Sequence, residues 1–356
     1  MTSFDTLTRD NSSRTSGGSL LASNRLPRGT AWVVLAIALA VSFALFGLLA
    51  AANGSALSVP GASLPRVSGL VVRRRPAVDR LVTGLVTSAF VLAMVPLVSV
   101  AITVVGNGIN RMDPEFFNSS MRNVTGEGGG ALHAMVGTLL ITLAATVIAV
   151  PLGLMTSIYL VEYGRGRLAK LITFLVDVMT GIPSIVAGLF AYAAFAIFLG
   201  PGARLGIAGA VALAVLMTPV VVRSSEEMLR LVPNELREAA YALGVPKWLT
   251  IVKVVLPTAI AGITTGVMLA IARVIGETAP LLIAAGFTAS MNYNLFADRM
   301  QSLPVYVYTQ YANQGNPAFA FLDRAWAAAL VLILIVMALN LIARLVAKFF
   351  APKTGR

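Results

Sequence analysis

Stretches of roughly twenty or more apolar residues recur along this chain, and they decide most of what it can fold into. A soluble protein of 356 residues buries a large core without such stretches. Only 12% of the residues are charged, against about a quarter in soluble domains, and 57% are hydrophobic. In hydrocarbon every backbone amide must be satisfied within its own segment, so these stretches are helices. The expectation is an all-α, polytopic membrane protein.

Residues 1–30 are rich in Ser, Thr, Asn and Gly without apolar periodicity, and they read as a disordered tail. A first apolar block covers 31–52. It is longer than a signal-peptide core, which favours an extra N-terminal transmembrane helix, with cleavage after the alanine run as the other reading. Residues 53–80 form a basic linker carrying Arg73, Arg74, Arg75 and Arg80. Six further blocks lie near 81–105, 132–160, 168–199, 205–222, 256–286 and 325–347. The third is long for one span and is interrupted at Gly181-Ile-Pro183, so a tilt, a kink or an interfacial lead-in must absorb the excess.

The net charge of +12 does not call for nucleic acid, because the cations sit in short segments between apolar blocks. By the positive-inside rule the segments holding Arg73–Arg75, Arg165–Lys170, Arg223–Lys253 and Lys348–Arg356 are cytoplasmic. The chain from 81 to 350 then has both ends inside, with a cytoplasmic C-terminus; a bacterial plasma membrane is what the resemblance given below implies. The side on which the N-terminus lies stays open. There is no cysteine and one histidine, His133, which leaves no thiolate chemistry and no histidine-built metal centre. No GxxxxGK[ST] loop occurs, so this chain does not bind ATP in the P-loop manner, and it is expected to carry no cofactor; ATP and Mg on partner subunits are what the resemblance described below implies. No Ser/His/Asp set suggests catalysis. The chain reads as a non-enzyme.

One cytoplasmic segment is amphipathic between Pro233 and Pro246, with Leu236, Ala239, Ala240 and Leu243 at helical spacing. Proline at its start and Gly244 at its end bound a short surface helix, placed at 234–246. On physics alone it could be any loop helix. The run Glu238-Ala239-Ala240, then Gly244, then Leu256-Pro257 at the matching distance resembles the EAA loop of ABC importer permeases, with Val254 where that pattern has Ile. The resemblance implies a coupling helix that docks in a groove of an ATPase subunit through Glu238, Ala239, Ala240 and Gly244.

Arg273 and Glu277 stand four apart inside an apolar block, where charges are costly and usually face a pathway or bundle interior. Two readings stand: an intrahelical salt bridge, or an anion gate in which Arg273 grips an oxyanion and Glu277 holds it meanwhile. Gly276 and Pro280 would let this helix bend, as Gly181 and Pro183 would bend the other. Asp177 is a lone acid that suits a gate or helix packing equally. The glycine run 126–130 reads as a flexible external loop. Phe116, Phe117, Tyr306, Tyr308 and Tyr311 read as interfacial anchors or a docking surface.

Three segments narrow the substrate. Gly181-Ile-Pro-Ser-Ile-Val-Ala-Gly-Leu-Phe190, Ala272-Arg273 through Gly276-Glu277-Thr-Ala-Pro280, and Val150-Pro-Leu-Gly153 with Ile158 to Gly164 resemble the permeases of bacterial ABC phosphate importers, the A-type subunit more than the C-type. That resemblance implies a six-helix type I importer core, phosphate as cargo, and four kinds of neighbour. These are a second, C-type permease, an ATPase dimer, an extracytoplasmic phosphate-binding protein and membrane lipid. An ABC permease for sulfate or molybdate, and a stand-alone secondary transporter, are the competing expectations.

Overall fold

The computed structural model describes residues 69–350, and side chains over 82–345. The expected tail at 1–30, the expected helix at 31–52 and the linker up to residue 68 lie outside the described residues. Elements are numbered from the first one described. Helix α1 covers Gly69–Gly108. It begins twelve residues before the expected 81, because Leu70, Val71 and Val72 extend the apolar run and arginines tolerate a helix well. The run Arg73–Arg75 therefore lies within a helix and not in a linker.

After a short helix α2 at Pro114–Asn118, the main bundle follows. Helix α3 covers Leu132–Ile158 and runs into a π turn at Tyr159–Tyr163. Helices α4 (Gly166–Thr180) and α5 (Ser184–Leu199) are bent by 108° across Gly181-Ile-Pro183. The expected single span at 168–199 is thus two helices. Neither continues the other, because Pro183 has no N–H to join a preceding turn. Helix α6 covers Gly206–Arg230 and α7 covers Asn234–Ala242. Helix α8, Lys247–Thr250, passes through a second π turn at Ile251–Val255 into α9, Leu256–Val274. Then come α10 (Ala279–Ala284), α11 (Leu303–Ala312) and α12 (Ala318–Phe350). Among the described residues five helices are long and apolar enough to cross a membrane, or six if α4 and α5 make one span.

Helix α6 is the axis of the bundle. Along its most apolar stretch 61% of the residues are buried, against 33% for α3 and 28% for α9 and α12. Small residues make this possible. Gly153 of α3 lies against Val221, Gly209 of α6 against Ala285, and Gly266 of α9 against Ser224, so backbones approach closely where the hydrophobic effect does not drive association. The central core joins Ile141, Ala145 and Ala149 to Leu213, Met217, Val221, Ala270 and Leu281.

At the end where α6 begins, the loop between α2 and α3 departs from expectation. Arg324 is fully buried, and its Nη1 donates to the carbonyls of Gly126 (2.7 Å) and Gly128 (2.9 Å) while Nε donates to Gln310 Oε1 (3.1 Å). Arg111 Nη2 donates to the Gly129 carbonyl, and Glu115 Oε1 accepts from the Gly129 N–H. The glycine run is therefore clamped. Its positive φ at Gly126, Gly128 and Gly129 lets the carbonyls turn inward to meet the arginines. Phe116 and Tyr306 are also fully buried, packed with Leu303 and Ala327, so they are core residues, while Tyr308 and Tyr311 are exposed. Replacing Arg324 by Met leaves two part-buried carbonyls and the buried Gln310 without their donor, at a cost of about 3 kcal/mol. The expected result is a thermal midpoint several degrees lower for the solubilised protein; a change under about 2 °C would contradict the clamp.

Candidate functional site: a docked surface helix and a broken span

Helix α7 starts after Pro233, whose φ of −57° and ψ of 141° turn the chain into it. It ends in a left-handed turn at Gly244, φ +77°. There the Gly244 N–H donates to the Tyr241 carbonyl (2.9 Å) and the Val245 N–H to the Ala240 carbonyl (3.1 Å), the paired closure of a Schellman motif. Any side chain at 244 would be strained at that φ, which is why the position carries glycine. The expected helix at 234–246 is therefore a nine-residue helix plus its closing turn, and Pro246 caps the start of α8 instead.

One face of α7 is anchored to the bundle by an arginine that sequence reasoning counted only toward topology. Arg237 Nε and Nη2 reach the same Glu162 carboxylate oxygen, at 3.1 and 3.0 Å, and the two side chains are only 12% and 5% exposed. Its Nη1 donates to the Val232 carbonyl (2.7 Å) and its Nη2 to the Leu229 carbonyl (3.0 Å), where the end of α6 attracts a cation. Lys247 donates to the Glu162 carbonyl and lies 4.7 Å from the centre of the Tyr163 ring. Ala240 shares this inward face. A trace of this was in the sequence, since Arg237 precedes Ala240 by three residues and an arginine on a buried face requires an acid.

The other face is open. Glu238, Ala239 and Gly244 are exposed, and so are Leu236, Tyr241, Leu243 and Trp248. Of the four residues that the EAA resemblance assigns to coupling, the structure places three outward and Ala240 inward.

The second element is the interrupted span. Helix α9 ends at Val274, and α10 starts at Ala279 with Pro280 in its first turn. Gly276 lies in the gap, and the Glu277 N–H donates to the Val274 carbonyl (3.1 Å). The expected placing of Arg273 and Glu277 four apart on one continuous helix is therefore not what the chain adopts. Arg273 is exposed, Glu277 is half-buried, and neither side chain has an ion-pair or hydrogen-bond partner among the described residues. Arg273 sits about 26 Å along α9 from Leu256, well away from α7. Charged side chains inside membrane spans are rare and almost always face a bundle interior or a water-filled cavity.

The Gly181–Phe190 segment meets this break. A Cβ at Gly188 would fall 2.6 Å from Pro280 Cα and 3.0 Å from its carbonyl oxygen, so the backbones of α5 and α10 touch. The two motifs, 90 residues apart, are one structural unit. Asp177 is no longer a lone acid: it pairs with Arg223, which also binds Glu226 at 2.9 Å, and Glu226 binds Arg230 at 2.7 Å. This chain of charges ties α4 to α6 beside an open cavity of about 400 Å³ that Lys170 and Thr173 also line. Asp177 thus has a partner in the neighbouring helix.

Apolar spans around one buried helix, an amphipathic helix seated at one end and a broken span carrying two charges are the build of a polytopic membrane permease. The chain belongs to the family of binding-protein-dependent transport system inner membrane components, whose sequence profile matches residues 149–356. It is 47% identical over 292 residues to the phosphate transport system permease protein PstA 1 of Mycobacterium tuberculosis, covering 81% of this chain and 92% of that one. It is 41% identical over 258 residues to the phosphate transport system permease protein PstA of Yersinia pestis, covering 72% and 84%. In fold it is similar to a chain in the crystal structure of a bacterial alginate ABC transporter in complex with alginate pentasaccharide-bound periplasmic protein. There the TM-score is 0.55 at 12% identity, over 80% of this chain and 99% of that one.

Proposed function

We propose that this chain is the A-type permease subunit of an ATP-driven importer that carries inorganic phosphate across a bacterial inner membrane. The observation that carries this reading is the contact of Gly188 with Pro280, which joins the two phosphate-permease motifs beside Arg273. The relatives' identity over most of the chain supports the same cargo. The chain itself is non-catalytic. ATP and Mg are held by two ATPase subunits, which receive the exposed face of α7, namely Glu238, Ala239 and Gly244 with Leu243 and Trp248 around them. A second permease, of the C type, completes the path, and an extracytoplasmic phosphate-binding protein delivers the anion to the end where α6 begins. The C-terminus lies in the cytoplasm, on the side of α7.

In this reading Arg273 faces the path. Its planar guanidinium suits two oxygens of a tetrahedral oxyanion at once. Glu277, freed from a helical pairing by the break at 275–278, repels an anion and sets the direction from which Arg273 is approached. The break allows the two groups to move separately, and the docking of α7 to the ends of α3 and α6 transmits closure of the ATPases into the bundle.

The test is uptake of radiolabelled phosphate by proteoliposomes holding the assembled transporter. Arg273→Gln is expected to reduce uptake at least a hundredfold, about 2.7 kcal/mol or more at 1.36 kcal/mol per tenfold, while ATP hydrolysis continues. Normal uptake by the variant would sink the gate. Uptake of sulfate or molybdate in place of phosphate would leave an ABC permease with a different cargo.

A further inference from the structure

A second pair of cations converges at the opposite end of the bundle from α7. Arg204 stands just before α6, and Arg299 stands in the loop between α10 and α11. Each is followed by a backbone N–H that reaches the end of α10: Leu205 donates to the Ala284 carbonyl (3.2 Å) and Met300 to the Ala285 carbonyl (3.2 Å). The next residue, Gly286, is buried with φ +74°. A Cβ there would lie 3.1 Å from Arg204 Cδ and 3.3 Å from Arg299 Cδ, so the two arginine stems flank one glycine.

Neither guanidinium has an ion pair or hydrogen bond among the described residues. The end of a helix attracts cations, which would explain one arginine. Here the carbonyls of Ala284 and Ala285 are already taken by backbone donors, and neither arginine bonds to them. Asp298 is the one acid between residues 285 and 302, is exposed, and pairs with neither. The loop is also held in place. Asn292 Nδ2 donates to the carbonyls of Ala297 (2.7 Å) and Arg299 (3.1 Å), and its Oδ1 accepts from the Asn294 N–H (2.8 Å). Two like charges whose stems flank one glycine, with no counter-charge on either, favour an anion near them.

We propose that Arg204 and Arg299 form a second oxyanion site, holding a phosphate-like group above Gly286 at the far end of α10 from Arg273. The proposal rests on the oxyanion transport proposed above. The group is free phosphate on its way to the break, or the phosphate of a lipid headgroup at the membrane surface; both present the same oxygens to the two guanidiniums.

The experiment titrates the full-length chain, in maltoside micelles free of phospholipid, with radiolabelled inorganic phosphate. An Arg273→Gln background removes the other candidate site. Adding Arg204→Gln and Arg299→Gln together is expected to weaken binding at least tenfold with an unchanged thermal midpoint, and the paired Lys substitutions restore part of it. Repeating the titration in nanodiscs separates the two sources. Binding that persists in phosphatidylglycerol assigns the site to free phosphate, and binding that phosphatidylglycerol abolishes but phosphatidylcholine spares assigns it to headgroups. Equal binding with and without the two arginines, or no binding to either protein, overturns the proposal. So does a double variant that binds phosphate normally as the isolated chain but no longer purifies with a second permease when the transporter is assembled, which would make the pair an assembly contact. The transport reading fails separately: if the assembled transporter moves sulfate and not phosphate, that reading falls while a sulfate-binding arginine pair stands. Robust phosphate uptake with unaltered binding sinks the pair alone.

Discussion

Arg237→Ala is expected to disconnect α7 from the bundle and abolish ATP-dependent phosphate uptake. Four groups lose their donor at once: the Glu162 carboxylate, the carbonyls of Leu229 and Val232, and the Asn234 side chain. Glu162 is left as a nearly buried charge with no cation on it, and breaking a buried pair from one side costs about 3–5 kcal/mol. Much of that falls on the local equilibrium that holds α7 down, since the helix is nine residues long and makes few other inward contacts. Amide hydrogen exchange over Asn234–Ala242 is therefore expected to quicken about a hundredfold or more, with exchange in α6 changing far less. ATP hydrolysis, measured beside uptake in proteoliposomes, is expected to lose its dependence on the binding protein. Arg237→Lys keeps the charge but has no fork to reach a carboxylate and two carbonyls together, so it restores only part of both readouts. Unchanged exchange over α7 in the alanine variant would mean that the helix is held by something other than this arginine.

The second large effect is expected at a contact that involves no charge. Gly188→Val places a branched side chain where Pro280 backbone atoms already stand, 2.6 to 3.2 Å from the new Cβ. No rotamer relieves a clash at Cβ, so α5 and α10 must separate. Overpacking of this kind costs about 1–3 kcal/mol, which the rest of the bundle can tolerate. The break next to Arg273 is less tolerant, because half an ångström or more of displacement misplaces the group proposed above to meet the anion. Uptake is expected to fall more than tenfold while the protein still inserts and purifies with its neighbours. Gly188→Ala carries the same Cβ and is expected to fail similarly. Wild-type uptake by either variant would show that the contact of α5 with α10 does not position the site.

Much of this arrangement could be read from residues alone, and the parts that could not share a physical cause. Hydropathy counts how many apolar residues follow one another but not which way they run. It placed a span over 168–199 with an interruption at Gly181-Ile-Pro183, but not the 108° by which the chain turns there. For the same reason 256–286 read as one helix with a pliable point, although it is two helices separated at 275–278. Local signals fared best where the chemistry is local. Gly244 closes α7 through its own backbone, as its place after the amphipathic run and two residues before Pro246 suggested. Side chains whose partners are distant in sequence were illegible. Glu162 is 75 positions from Arg237, and Gly126 is 198 positions from Arg324, so neither clamp leaves a periodicity to detect. The glycine run read as loose because its arginines come from elsewhere in the chain.

The two π turns, Tyr159–Tyr163 and Ile251–Val255, bracket the place where α7 is seated: Arg237 grips Glu162 in the first, and α7 packs against the second. A π turn holds one residue more than the α turn it replaces, and such turns recur at working parts of proteins. Each is in effect a short reserve of winding. When α7 is pushed, α3 and α9 can take up or give back a residue at their feet. A change of one residue advances a helix by about 1.5 Å and rotates it by about 100°. In the transport reading proposed above, a force applied to α7 at the membrane surface would be taken up first as winding at these two turns, one of which leads into α9, the helix that carries Arg273.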